Sequence, residues 1–270
     1  MVETKMNVVL LAHTQLSEKF YDSFDIYGHS YEGNKLDNTG ATDGQAVALS
    51  AIRTCYSPGN PSEIVVKEGV KYFGARATDG KEGTEADRLF RQIVASKHTS
   101  TLEHISFTFA IESVSRALLA QLTRHRVGFS FSVQSQRYVR FGSDDRSGGF
   151  DYAVPETIKN SAKTVELELN ANTKHKYTAE EYFELFMQEI QSVYDKLREL
   201  GVPAEDARAV LPNAAATNLV MTANLRALLD FYAKRREGRG AQGEICSLAE
   251  ELRKQVVAVE PWVDQFFEGA

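Results

Sequence analysis

Apolar residues along the chain alternate between two spacings, and the switches mark its elements. Val8-Val9-Leu10-Leu11-Ala12 is a short apolar run rich in β-branched residues, the pattern of a buried strand. Gln45 to Tyr56 reads as helical. Between Glu82 and Lys97, Ala86, Leu89, Phe90, Ile93 and Val94 recur on one helical face, whereas Ile105 to Ile111 alternates bulky and small residues at period two, as a half-buried strand does. Leu118, Leu119 and Leu122 then restore helical spacing from Ser115 to about Thr123, with Ser113 or Ser115 available as its cap. Arg124 therefore falls just past a helix C-terminus.

Thr178 and Glu181 have capping-box spacing at the head of a long predicted helix, which Gly201 and Pro203 stop. Thr217 to Ala223 predicts a strand, and Asn224 an N-cap for a helix striped by Leu225, Leu228, Leu229 and Tyr232 and ending near Arg235 and Arg236. Ile245, Leu248, Leu252 and Val256 define a last amphipathic helix over 244–259, before Pro261 and Trp262. Residues 21–44 and 142–149 are rich in turn-forming types and read as excursions from the core. Strands separated by helices, with no long linker and no internal repeat, predict one α+β domain spanning 1–270, a central sheet flanked by helices.

Bulk properties narrow the function classes. The 43% apolar content and mixed-sign 25% charge suit a folded core rather than a disordered chain. A formal net charge of -6 argues against a general grip on nucleic acid, so none is expected as a partner. No apolar run reaches the roughly 20 residues that span a bilayer, and the first residues lack the pattern of a signal peptide, which leads to a cytoplasmic expectation with no membrane partner. Cys55 and Cys246 sit in neither CxxC nor zinc-ligand spacing. They read as reduced thiols acting as small buried hydrophobes, and no metal site is expected.

Against this acidic background, Arg124-His125-Arg126 places three potential cations in succession, and Arg137 and Arg140 follow among Ser130, Ser132, Gln134, Ser135 and Gln136. Guanidinium forks match phosphate oxygens two at a time, so the cluster has the chemistry of a phosphate or pyrophosphate site. Cations that merely complement a helix C-terminus are the plainer reading. Gly128, Phe129 and Phe131 interrupt the run, which is therefore not a uniformly solvated face. Phe129, Phe131 and Tyr138 also admit a single-stranded nucleic-acid platform, which the net acidity disfavours.

The order of these residues resembles a known motif. Arg124-His125-Arg126, residues 127–134 and Ser135-Gln136-Arg137-Tyr138 look like the Arg-His-Arg…Ser-x-Arg-Tyr motif of the flavin-dependent thymidylate synthases. His98-Thr99-Ser100-Thr101-Leu102-Glu103-His104, Gln121, Arg208-Ala209-Val210-Leu211-Pro212 and Asn224-Leu225-Arg226 follow the same family's order. The resemblance covers roughly Gln45 to Trp262 and leaves 1–44 and 142–149 as elaborations.

Carried over by position, the resemblance implies that Ser100, Arg124, His125, Arg126, Val133, Asn224, Leu225, Arg226 and Asp230 contact FAD. It implies a dUMP site of Gln121, Leu122, Thr123, Arg124, Val133, Gln134, Ser135, Gln136, Arg137, Arg208 and Arg235, shared between subunits of a homotetramer, with Arg137 and Arg208 acting in trans. The implied reaction is reductive methylation of dUMP to dTMP. Its carbon comes from 5,10-methylenetetrahydrofolate and its hydride from FAD reduced by NADPH. Arg235 is the implied catalytic residue, activating uracil ionised at N3 where other thymidylate synthases use a cysteine. Cys55 beside Arg53 resembles no such nucleophile, and His98 and His104 read as packed or hydrogen-bonded residues rather than bases.

The chain departs from the family pattern in three places. The spacer before Ser135 is one residue longer, with Gly128 the extra residue; Val133 stands where relatives carry Glu or Gln; Asp230 stands where they carry Asn or His. The register of Arg235-Arg236 leaves either arginine able to take the activating role. These departures keep a non-catalytic flavin or nucleotide sensor in view as the rival function.

Overall fold

The computed structural model describes residues 2–21, 39–170 and 173–269. Most of the predicted excursion at 21–44, residues 22–38, lies outside the described residues. Along the chain run β1 (Asn7–His13), α1 (Asp43–Thr54), α2 (Ile64–Phe73), α3 (Glu85–Ala95), β2 (Ser106–Ser115), α4 (Arg116–Leu122) and β3 (Phe129–Val133). A short α5 (Glu156–Lys159), a ribbon of β4 (Thr164–Asn170) and β5 (Thr173–Thr178), the long α6 (Ala179–Glu199) and a short α7 (Ala204–Ala207) follow. The chain closes with β6 (Ala216–Asn224), α8 (Leu225–Arg235), α9 (Gly243–Val259) and α10 (Asp264–Glu268).

The main sheet is antiparallel throughout, in the order β1-β2-β6-β3. Period-two alternation decides its two faces. Phe107, Phe109 and Ile111 of β2 and Leu219, Met221 and Ala223 of β6 point into one core with Leu49, Ile52, Phe90, Leu228, Phe231, Leu248 and Leu252 from the helices. On the opposite face Thr108 and Thr222 form a cross-strand hydroxyl pair at 2.9 Å, and Val9, Leu11 and Val220 are exposed. The fold is thus the predicted α+β arrangement, a central sheet with helices against it.

Helix starts follow the predicted chemistry. Thr178 and Glu181 form a capping box, Asn224 accepts from the Ala227 N–H at 2.9 Å, and Ser115 caps α4 through the Leu118 N–H at 3.0 Å. Ser113 is not the cap. It sits at φ 59° in the irregular stretch of β2 between Ile111 and Val114. Gly201, at φ 86°, terminates α6 as expected.

Two expectations need correction. The Val8–Ala12 run is an edge strand, not a buried one: among the described residues β1 pairs only with β2, and of its own residues only Val8 is buried. Cys55 is exposed rather than a buried hydrophobe, and Cys246 is half-buried. The segment 129–133, for which no element was predicted, is strand β3. Helix α2 and the β4–β5 ribbon carried no prediction. In the ribbon Lys174 reaches Glu166 at 3.2 Å and Glu168 at 3.5 Å, so charge pairs replace the apolar alternation that would have signalled it.

A second core lies under α6, where Phe141, Phe150, Tyr152, Met187, Tyr194 and Ala215 meet. Gln191 is 6% exposed and its amide is fully used: Nε2 donates to the Phe141 carbonyl at 2.8 Å, and Oε1 accepts from the Phe150 N–H at 3.0 Å. This clamps both ends of the predicted 142–149 loop to α6. No helix among the described residues is long and apolar enough to cross a membrane.

Glu260, after α9, is 1% exposed. Its carboxylate accepts from Trp262 Nε1 at 2.5 Å, from the Gly44 N–H at 3.2 Å and from the Thr42 hydroxyl, joining the end of α9 to the start of α1. A Cβ on Gly44 would collide with that carboxylate. Burial pushes the carboxyl above its ordinary range, and the hydrogen bonds from Thr42, Trp262 and Gly44 and the charge of His13 offset this only in part.

The folded chain therefore holds this proton more tightly than the unfolded chain does. That contribution is complete below the unfolded pKa and is lost as pH rises through the raised folded value. In urea denaturation from about pH 4.3 upward, the wild type should lose stability relative to Glu260→Gln as pH rises. Parallel stability curves for the two proteins would contradict this.

Candidate functional site

The turn between α4 and β3 is shaped by what it packs against. After Leu122 the His125 N–H donates back to the Leu122 carbonyl at 3.0 Å, and the chain reverses at Gly128, φ 77°. A Cβ on Gly128 would stand 2.7 Å from both Ala227 Cβ and Asn224 Nδ2, so only glycine lets the turn sit on the start of α8. The Asn224 N–H donates to the Gly128 carbonyl at 3.1 Å, and β3 begins at once, pairing Phe129 with Ala223. Arg124 and Arg126 are left exposed on either side while His125 turns inward.

His125 is half-buried, with its ring edge-on to Phe231 at 4.9 Å and tilted against Phe129 at 6.0 Å. Arg235 Nε, at the end of α8, donates to His125 Nε2 at 3.1 Å. An arginine Nε–H has nothing to accept with, so this contact assigns the lone pair to Nε2 and the ring proton to Nδ1. Burial holds the imidazole below its ordinary range; Arg235 and Lys234 and, more weakly, Arg124 reinforce this, and Asp230 opposes it. Near neutrality the ring is an uncharged acceptor.

Along α8, Arg226 in its first turn pairs with Glu103 at 2.5 Å, and Asp230 further on with Lys234 at 2.7 Å; all four side chains are well exposed. Exposed pairs of this kind are worth at most about 1 kcal/mol. An anionic ligand can therefore displace Glu103 at little cost. Ser100 is exposed in the 3₁₀ turn Thr99–His104 that also carries Glu103.

A second cationic group lies toward the other end of β6. Arg116 opens α4, and its Nη2 donates to the Gln134 carbonyl at 2.9 Å. Its Nε is buried and finds no hydrogen-bond partner among the described residues. Burial and the nearby charge of Arg208 both lower its pKa. Arg208 Nε donates to the Glu205 carbonyl at 2.9 Å, and the Glu205 carboxylate holds Arg137 at 3.1 Å. Arg137 also lies over the Tyr138 ring, 5.7 Å from its centre. Between Ala216 and Asn224 β6 advances about 26 Å at 3.3 Å per residue. Within one chain the turn carrying Arg124 and Arg126 therefore lies by Asn224, at the end of β6, and Arg116 with Arg208 by its start.

The remaining predicted site residues fall out unevenly. Leu122 and Leu225 are 0% exposed, so neither side chain is available to a ligand, and Val133 packs partly on the main core. Gln121 Nε2 donates to Gln242 Oε1 at 2.6 Å, and Thr123 Oγ1 donates to the Leu119 carbonyl at 3.0 Å. Ser135 Oγ accepts from the Arg137 N–H at 3.2 Å in the turn after β3, which also carries Gln136. Arg236 lies near enough to Tyr232, which donates to Glu250 on α9, for its charge to act there, and its Nε is buried with no hydrogen-bond partner among the described residues.

Arg116 escaped the sequence reading. A signal was present: no Asp or Glu occurs between Val114 and Ser143, so every cation in that stretch must find its counter-charge elsewhere.

Comparison with known proteins gives this geometry a context. The sequence profile of a family described as thymidylate synthase complementing protein matches residues 37–262. A protein of Geobacter sulfurreducens named flavin-dependent thymidylate synthase is 37% identical over 221 residues, covering 82% of this chain and 81% of its own. One of the same name from Nitratidesulfovibrio vulgaris is 40% identical over 215 residues, covering 77% and 75%. Among solved structures, the UMP/dUMP methylase PolB of Streptomyces cacaoi, bound with 5-Br dUMP, shares the fold at a TM-score of 0.63 and 19% identity, covering 99% of this chain and 96% of its own.

A half-buried guanidinium without a carboxylate partner weakens the folded chain and favours an incoming anion. Replacing Arg116 by Met should leave the melting temperature in phosphate-free buffer unchanged or raised. It should also lower affinity for inorganic phosphate by about tenfold or more, since each charge-assisted hydrogen bond contributes roughly 1.5 to 3 kcal/mol. Thermal melts with and without phosphate test both statements, and an undiminished phosphate-dependent rise in the variant would refute the second.

Proposed function

The chain belongs to the flavin-dependent thymidylate synthase family, and on that premise we propose that it converts dUMP to dTMP by reductive methylation, with FAD as cofactor. One observation carries the reading: Arg235 is folded against the Arg124–Arg126 turn, 110 residues away in sequence, with its Nε on His125. The family's two signature regions thus meet in one place.

The donor set at this end of the sheet fits an anionic dinucleotide. Arg124 and Arg126 are exposed, Arg226 is tied only to a solvated carboxylate, and the N-terminus of the eleven-residue α8 lies beside them. We assign FAD to Ser100, Arg124, His125, Arg126, Val133, Asn224, Arg226 and Asp230, with Leu225 contributing backbone only. FAD, reduced by NADPH, supplies hydride, and 5,10-methylenetetrahydrofolate supplies the carbon.

The protein's own part is positioning and electrostatics. Arg116, Arg137 and Arg208, with the Gln134–Gln136 turn, bind the nucleotide phosphate, while Arg124 and Arg235 face the base. A fixed guanidinium beside uracil ionised at N3 stabilises the anion and raises electron density at C5, the carbon to be alkylated. Arg235 suits this role better than Arg236 because it is the one bonded to His125 in the cationic turn. Cys55 is exposed, and no step requires it.

The separation of the two cationic groups along β6 supports sites completed across subunits, Arg137 and Arg208 acting in trans. The uncovered sheet face with Val9, Leu11 and Val220 offers surface for such assembly. A homotetramer is the assembly we propose, and the cytoplasm is its proposed compartment.

Arg235→Ala should fold with an unchanged melting temperature and retain bound flavin. Its dUMP-dependent NADPH oxidation and dTMP formation should fall on the order of 10²- to 10³-fold, the scale of losing one preorganised electrostatic donor. Wild-type turnover in the variant would remove Arg235 from the mechanism. Absence of dTMP formation by the wild type would favour a non-catalytic flavin or nucleotide sensor.

A further inference from the structure

We propose that His125 is a positioning residue for Arg235: its imidazole Nε2 accepts the arginine Nε–H and so aims the two terminal amino groups of the guanidinium at the pyrimidine. This rests on the reading of Arg235 given above. The arginine side chain is long and freely rotating, and a planar guanidinium presents its donors in a fixed fork. Once Nε is anchored at 3.1 Å, the plane of the fork and the direction of its four remaining hydrogens are set together.

The anchor is itself held. Phe231 meets the His125 ring edge-on at 4.9 Å, Phe129 contacts it at 6.0 Å, and the His125 N–H is bonded to the Leu122 carbonyl. Phe231 and Arg235 belong to the same helix, so the ring and the arginine are fixed on one scaffold.

A neutral acceptor is also the right kind. A carboxylate in this place would hold Arg235 at least as firmly but would cancel the positive charge that an ionised uracil needs. The imidazole fixes orientation and leaves the charge intact. The charges facing the pair are consistent with this. Asp230 is already taken by Lys234 on the next turn, Arg124 adds positive charge from the loop, and β3 contributes only Phe129. From α9, Cys246 adds no anion: burial and, less strongly, the charge of Glu237 push its thiol up.

Protonation of His125 would abolish the acceptor and place a cation against Arg235. Because the ring titrates below its ordinary range, this happens only below about pH 6.5. The expected consequence is an acid limb in kcat that reports the orientation of Arg235.

The test uses the flavin-loaded protein, with every rate normalised to bound flavin, and two variants. His125→Leu removes the acceptor. His125→Gln returns an amide oxygen near the Nε2 position that does not titrate. His125→Leu should lose about 10- to 100-fold in kcat, the scale expected for a misplaced catalytic group. Calorimetry should show weakened dUMP binding but undiminished binding of deoxyribose 5-phosphate, which lacks the ring that Arg235 faces. His125→Gln should recover part of both losses, and its profile should be flat where the wild type falls off in acid.

Equal weakening toward both ligands, an unchanged kcat in His125→Leu, or a wild-type acid limb in His125→Gln would each overturn the inference. Arg235→Ala separates it from the reading beneath it. If that variant keeps its turnover and its preference for dUMP over deoxyribose 5-phosphate, the role of Arg235 falls. If it loses both while His125→Leu loses neither, only the role of His125 falls.

Discussion

The site depends on a backbone approach that a single methyl group would prevent. Gly128 lets the cationic turn settle on the first residues of α8, where Asn224 bonds it through the main chain and caps the helix through its side chain. From that contact follow the burial of His125 beside Phe231 and the meeting of His125 with Arg235. The register of β3 follows too, since Phe129 must lie opposite Ala223 once Gly128 is fixed. Gly128, expected from the sequence to be the extra residue of the spacer, thus forms a left-handed turn packed against α8, not slack in a loop.

Electrostatics divide the labour along β6. The chain is acidic overall, yet the stretch from Val114 to Ser143 contains no carboxylate, so its arginines meet acids only from other segments, and loosely. Glu205 holds Arg137, and Glu103 holds Arg226 on α8, through solvated pairs worth at most about 1 kcal/mol, whereas Arg116 forms no ion pair among the described residues. The protein keeps these cations ready by pairing them weakly, and half-buried Arg116 has an Nε with no hydrogen-bond partner among the described residues.

Much of this was legible in the sequence because local rules and tertiary needs agree there. The caps at Thr178 and Asn224, the stripes of α3 and α9 and the alternation in β2 and β6 are local patterns that burial reinforces. What escaped was set by partners distant in sequence. β3 hides inside a polar, arginine-rich run, and only its pairing with β6 makes Ser130 and Ser132 strand residues. β1 has the composition of an inner strand but lies at the rim, a placement that strand order decides and composition does not. The resemblance named His125 and Arg235, which the fold brings into contact, yet could not tell that Leu122 and Leu225 turn their side chains into the core, or that Arg116 stands beside Arg208.

The β4–β5 ribbon carries its acids on one strand and its bases on the other, Glu166 and Glu168 against Lys174 and Lys176. Within one molecule that arrangement closes on itself. Between two molecules it does the reverse: a two-fold join along β5 would set Lys174 and Lys176 against their own copies, and a join along β4 would do the same with glutamates. Unpaired strand edges invite such zipping, and like charges discourage it. Among the described residues β4 and β5 pair only with each other, so this charge pattern is a device that disfavours edge-to-edge association of ribbons.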